Sequence, residues 1–171
     1  AQQQLRAEQQ AYEQQLLEKG KDQSGNPLAK GTVYTIPVVF HVLHQYGSEN
    51  ISDQQIYDAI DVMNRDFAKL NADTAFVASA FQGAPANAEI QFALATKAPD
   101  GTCFNGITRT VSPLAFDGSS GGDQVNAIAS GNDVYNGAWD GDEYLNIFVA
   151  AEIGGAAGYT TKPSFWSGTG M

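Results

Sequence analysis

Tyr34-Thr-Ile-Pro-Val-Val-Phe-His-Val-Leu43 carries β-branched and aromatic residues one after another, with almost no polar alternation. A strand with one wet face alternates, whereas a run that is apolar on both faces belongs in the middle of a sheet covered from both sides. Residues 33–43 are therefore expected to form the central strand of an α/β fold. Pro37 removes one ladder donor, which suits a strand beginning or a local irregularity better than an uninterrupted interior.

Working outward, Gly47 to Ile51 turns the chain. Ser52-Asp-Gln-Gln55 then has the form of a capping box, in which the serine oxygen takes an orphan amide and Gln55 reaches back. The helix that follows, over 52–70, sets Ile56, Ile60, Met63 and Phe67 on one stripe and leaves Asp58, Asp61, Arg65 and Lys69 outside. After a loop rich in Ala, Asn and Pro, Glu89-Ile-Gln-Phe-Ala-Leu-Ala95 reads as a second strand. Strand, helix, strand in that order predicts a right-handed crossover and parallel pairing. All four stripe residues are expected to lie buried against this sheet.

Gly106-Ile-Thr-Arg-Thr-Val-Ser112 suggests a short outer strand. Residues 117–143, rich in Gly, Asp, Ser and Asn, form a long excursion with a short helix expected around Val125–Ala129. Tyr144-Leu-Asn-Ile-Phe-Val-Ala-Ala151 is a third strand. The bend Gly154-Gly-Ala-Ala-Gly158 leads to a last one over 157–162, which Pro163 stops. At the other end, residues 1–19 are Gln/Glu-rich good helix formers, with Leu5, Tyr12 and Leu16 near helical spacing, and Gly20 ends them. Residues 20–31 have linker composition. Residues 1–31 read either as a pro-segment remnant or as a solvated leader, with Ala1 expected to be a processed start.

At 171 residues there is room for one domain with a real core. The formal net charge of -10 argues against nucleic acid or an anionic membrane as partner, since nothing here would neutralise phosphates. No apolar stretch approaches the roughly 20 residues of a membrane span.

Candidate chemistry is sparse. His41 and His44 are the only histidines. Three apart on a strand, they point to opposite faces and do not ligate one metal together, so both are expected to be buried or rim histidines. Asp117, Asp123, Asp133, Asp140, Asp142 and Glu143 sit among glycines, where oxygens can converge on a hard cation such as calcium. Their spacing is not that of an EF-hand, and a solvated acidic loop is the preferred reading. Nothing in the spacing brings Glu143 and Glu152 together as an acid–base pair. Cys103, the single cysteine, reads as a lone thiol or as half of a disulfide whose partner lies beyond Met171. The small residues of 154–161 leave backbone groups open, so the strand after them is a candidate edge for an added peptide; the alternative is a tight turn in a mixed sheet.

Several separated pieces together resemble the pappalysin family of metzincin zinc metallopeptidases, the secreted bacterial kind. They are Ile36-Pro-Val-Val-Phe-His41, Ile51-Ser-Asp-Gln-Gln-Ile56, Asn64-Arg-Asp-Phe67, Ile90-Gln-Phe-Ala-Leu-Ala95, Gly106-Ile-Thr-Arg109, Leu145-Asn-Ile-Phe-Val149 and Ala157-Gly-Tyr159. The resemblance implies that residues 32–171 are an incomplete upper subdomain of a catalytic domain. Its implied form is an α/β (α+β), twisted mixed sheet with an antiparallel edge strand, backed by helices. It further implies that Ala156, Ala157, Gly158, Tyr159, Thr160 and Thr161 form the upper rim of a cleft and bind substrate backbone.

The family's zinc ligands and general-base glutamate lie in an H-E-x-x-H-x-x-G-x-x-H motif that this sequence does not contain. Zinc is thus expected to belong to the parent protein, with ligands outside this chain. The remaining C-terminal half of the catalytic domain and a peptide or protein substrate are the implied partners, in a secreted, extracellular setting. The fragment alone is expected to be inactive, with no catalytic and no metal residues of its own. The competing expectation is a non-catalytic secreted binding or adhesion module that uses the acidic loops and the open edge.

Overall fold

The computed structural model describes residues 33–81, 86–117, 121–131, 139–154, 158 and 160. Strand β1 (Tyr34–His44) is buried without a break from Val38 to His44, as its continuous apolar run requires. It hydrogen-bonds to each of three other strands, β2 (Ile90–Leu94), β3 (Ile107–Val111) and β4 (Leu145–Val149), and every pairing is parallel.

A strand has only two edges, and residue parity shows how three partners share them. In a parallel ladder the N–H and C=O of one residue point the same way. Tyr34 N donates to Glu89 O, Val38 O accepts from Ala95 N, Phe40 N donates to Gly106 O, and His44 O accepts from Ser112 N. All four are even-numbered residues of β1. So β2 and β3 lie end to end along one edge, opposite Tyr34–Val38 and Phe40–His44, and β4 takes the other edge opposite Val38–Val42. Pro37 is tolerated inside β1 for the same reason. Its missing N–H faces the β4 side at a level where β4 has not yet begun, because Leu145 pairs with Val38.

Between β2 and β3 the chain makes an excursion over 95–106, closed by an antiparallel bridge between Lys97 and Cys103. Gly106 pinches its neck with φ +79°, and a Cβ placed there would lie 2.6 Å from Leu94 Cβ. Gly106-Ile-Thr-Arg-Thr-Val-Ser112 supplies the short outer strand its sequence suggests, and it continues the β2 line along the same edge of β1.

Helix α1 (Asp53–Phe67) begins at the capping box read from the sequence. Gln55 N donates to Ser52 Oγ, and Ser52 N donates to Gln55 Oε1. It covers the even face of β1, packing Ile56 and Ile60 with Val38, Phe40, Val42, Phe92 and Ile107. Met63 joins this core partly buried. Phe67 does not enter it as expected: the residue is 41% exposed and touches the core only by an edge-on contact with Phe92, ring centroids 4.8 Å apart. It is the last residue of the helix and overhangs the beginning of β2, where Ala88 N donates to Phe67 O.

The odd face of β1 is covered by α2 (Gly121–Gly131), the 3-10 turn Pro113–Phe116 and Trp139. Leu43 packs with Ala115 and Ile128, and Val39 with Ala95, Ala98 and Trp139. Helix α2 includes the Val125–Ala129 stretch expected to be helical and extends it at both ends. The result is a three-layer sandwich, helix on sheet on helix, with β1 at its centre.

Candidate functional site

The two long edges of the sheet are finished differently. On the β2 and β3 side, asparagine side chains meet the outward-facing groups of Phe92 and the N–H of Ile107. Phe92 N donates to Asn64 Oδ1 at 2.7 Å, and Asn64 Nδ2 donates to Phe92 O at 2.9 Å, so one carboxamide imitates a neighbouring strand. Ile107 N donates to Asn105 Oδ1. Such capping keeps an edge from recruiting further strands.

On the β4 side, residues 145, 147 and 149 turn their backbone groups inward to β1, leaving those of Asn146 and Phe148 pointing outward. Among the described residues no strand pairs with them. All five residues of β4 are only half-buried. A groove of about 810 Å³ runs along this edge and reaches both faces. Met63, Phe67 and Ile147 line it on the α1 side, and Ile128 and Phe148 on the α2 side.

Both ends of β4 are fixed. Before it, Asp140 organises a turn: its carboxylate accepts from Asp142 N, and its carbonyl accepts from Glu143 N and Tyr144 N. The Tyr144 hydroxyl donates to Lys97 O at 3.4 Å. Burial, and then the neighbouring Glu143 carboxylate, push the Tyr144 phenol above its ordinary range. After β4, Ala151 N and Glu152 N both donate to Ala115 O. The buried Gln124 of α2 donates from one amide nitrogen to both Leu114 O and Glu152 O, each at 2.8 Å. Gly154, with φ +54°, then turns the chain toward the 156–161 segment. The only local sign of Gln124's role is its place as a polar residue in the apolar stripe of a short helix.

Of the six residues expected to contact substrate, Gly158 and Thr160 are described. Both are exposed, and Thr160 lines the groove beside β4. Ala156, Ala157, Tyr159 and Thr161 lie outside the described residues, and with them the expected antiparallel edge strand.

The histidines are structural. His41 is 1% exposed, with Nδ1 2.8 Å from Thr108 Oγ1 and Nε2 3.0 Å from Asn146 Oδ1. His44 is buried, and its Nδ1 accepts from Tyr46 N. Glu49 turns its carboxylate back onto Gln45 N and Gly47 N, and those hydrogen bonds hold its pKa below the ordinary range. Among the described residues no three His, Cys, Asp or Glu side chains gather as metal ligands would. Cys103 is exposed at the bridge of the 95–106 excursion. No helix among the described residues is long and apolar enough to cross a membrane.

A parallel sheet with helices on both faces and one open edge beside a groove is a metzincin-like α/β arrangement. Among solved structures the chain is similar to mirolysin in complex with compound 9, at 39% identity and a TM-score of 0.65 over 78% of this chain and 48% of that one. It is similar also to Tannerella forsythia promirolysin mutant E225A, at 41% identity and a TM-score of 0.58 over 69% of this chain and 37% of that one. The third is Tannerella forsythia mature mirolysin in complex with a cleaved peptide, again at 41% identity and 0.58, over 69% of this chain and 42% of that one. The chain thus spans less than half the length of these structures. No protein-family model and no curated protein matches it.

Proposed function

We propose that this chain is the N-terminal portion of a secreted zinc metalloendopeptidase of the pappalysin type, and that it supplies the substrate-aligning edge of a peptide-hydrolysing cleft. The observation that carries the reading is the likeness, at 41% identity, to a structure that holds a cleaved peptide. It is supported by the open, groove-lined edge of β4, from which the chain leads directly into 154–161. This part of the protein aligns and does not react. A zinc peptidase needs at least three side-chain ligands converging on the metal and a base to activate its water. The two histidines here are buried, point to opposite faces and are already engaged in hydrogen bonds.

In this reading Ala156–Thr161 forms the upper rim and offers main-chain hydrogen bonds to an extended peptide, and zinc is held by residues C-terminal to Met171. The test begins with the coding sequence. An H-E-x-x-H-x-x-G-x-x-H stretch within about a hundred residues after Met171 is the expected finding. A stop codon there would instead favour a non-catalytic binding module. In the parent protein, Gly158→Pro should lower peptide hydrolysis while zinc content stays at one per chain, because proline removes an edge amide without touching the metal. Hydrolysis indifferent to prolines throughout 156–161 would overturn the assignment of the edge.

A further inference from the structure

The buried part of the odd face of β1, from Val39 to Leu43, is apolar except at His41. His41 sits between Val39 and Leu43 with its ring stacked on Phe148, centroids 4.9 Å apart and planes at 21°, and edge-on to Trp139 at 5.7 Å. Its two nitrogens reach opposite neighbours, Thr108 on β3 and Asn146 on β4. Asn146 in turn donates its Nδ2 hydrogen to the carbonyl of Trp139 at 3.1 Å. That last bond settles the tautomer. With Nδ2 committed to Trp139, Asn146 offers Oδ1 to the ring, so His41 Nε2 carries the hydrogen and Nδ1 accepts from the Thr108 hydroxyl. Only a neutral imidazole also takes up the Thr108 hydroxyl hydrogen.

We propose that the Thr108–His41–Asn146 ladder is an acid-sensitive lock that holds β4 on β1, so that protonation of His41 releases β4 before the rest of the sheet. Protonation makes Nδ1 a donor, so the Thr108 hydroxyl must turn to accept and its own hydrogen loses the ring as acceptor, in a setting where Thr108 is fully buried. Among the described residues no charged side chain touches the ring. Its neighbours are Thr108 from β3, Asn146 and Phe148 from β4, and Trp139. The titratable group packed on these is Tyr144, edge-on to Trp139 at 5.2 Å and uncharged in acid.

The imidazolium can reach water by the weaker side of the sheet. Strand β4 is paired along one edge and half-buried throughout, whereas β2 is pinned on its outer edge by Asn64. Burial holds the His41 pKa at about 4 against 6.5 when free, the Asn146 hydrogen bond opposing it only in part. A folded-state value below the unfolded one means that the stabilisation is fully present above pH 6.5 and is lost as pH falls toward 4. Within that window, uptake of one proton on opening raises the opening constant about tenfold per pH unit. The lock belongs to the sheet itself and does not depend on the peptidase reading.

Amide hydrogen exchange on the 171-residue chain, corrected for intrinsic rates, tests this between pH 7 and 4.5. Segment 145–149 should lose protection about tenfold per unit below pH 6.5 while 90–94 keeps its own. In the double variant H41L/N146L the protection of 145–149 should be flat across the same range. Loss of protection in both strands together, or in neither, would overturn the proposal. Should the double variant not fold, the ring titration of His41 by NMR in the unaltered chain decides instead. A midpoint near 4 supports the lock, and one near 6.5 overturns it.

Discussion

Gly106 and Phe67 show how far single residues depend on what lies across from them. Gly106 combines a positive φ with a neighbour too close for any Cβ, so both backbone strain and a clash with Leu94 oppose a side chain there. Gly106→Ala should cost about 1–3 kcal/mol, read as a lower urea midpoint, because the neck of the 95–106 excursion must open to fit it. Phe67 belongs to the same sequence stripe as Ile56 but is 41% exposed where Ile56 is 0%. Ile56→Ala should cost about 2–5 kcal/mol, and Phe67→Ala less, since only an edge contact with Phe92 and a half-buried ring are lost. Chemical denaturation of the two variants side by side checks the order, and a larger loss for Phe67→Ala would contradict the packing described.

Elements in this protein are defined by their ends and edges as much as by their propensities. Helix α1 starts where the Ser52 and Gln55 side chains satisfy amides that the helix cannot. Arg109 adds to this terminus from β3, donating to Asn50 Oδ1 and pairing with Asp53 in the first turn at 2.5 Å. Ser52→Ala should lower stability by about 1 kcal/mol. The early amides of the helix, Asp53 to Ile56, should show faster hydrogen exchange, while those of β1 stay unchanged. Strand edges follow the same accounting. Asn64 occupies both outward groups of Phe92, whereas nothing among the described residues occupies those of Asn146 and Phe148, beside which the groove runs.

At the scale of the whole molecule, asparagine side chains cap Phe92 and Ile107 on one sheet edge, and the other edge faces a groove of about 810 Å³ lined on both sides by apolar side chains. Residues 1–171 prepared alone should bind no stoichiometric zinc and cleave no peptide, because the ligand set and the base are missing from the sequence. Metal analysis returning one tightly held zinc per chain would contradict this. The isolated chain should also associate through its bare edge, with light scattering rising with protein concentration.

The central strand, the capped helix, the parallel crossover to β2 and the strand at 145–149 were legible because each rests on local signals. Those signals are a run apolar on both faces, a box of capping residues, an amphipathic stripe and a change of hydrophobic period. The burial of the histidines on opposite faces of the sheet was legible too, since a spacing of three on a strand separates the side chains whatever surrounds them. Other features had no local signal. That β2 and β3 form one interrupted line along β1 depends on hydrogen-bond parity between distant segments, and nothing in 106–112 states which edge it will join. That Phe67 overhangs the sheet depends on where β2 begins relative to the last turn of α1. The roles of Asn64, Gln124 and Asn146 depend on carbonyls, amides and a ring 7 to 105 residues away. The sequence by itself determined the strands at 34–44, 90–94 and 145–149 and the helix at 53–67, because those follow from residue type and short-range spacing. Only the tertiary structure decided which outward-facing groups of the sheet are met, because a backbone group is satisfied or left bare by whatever the rest of the chain brings against it.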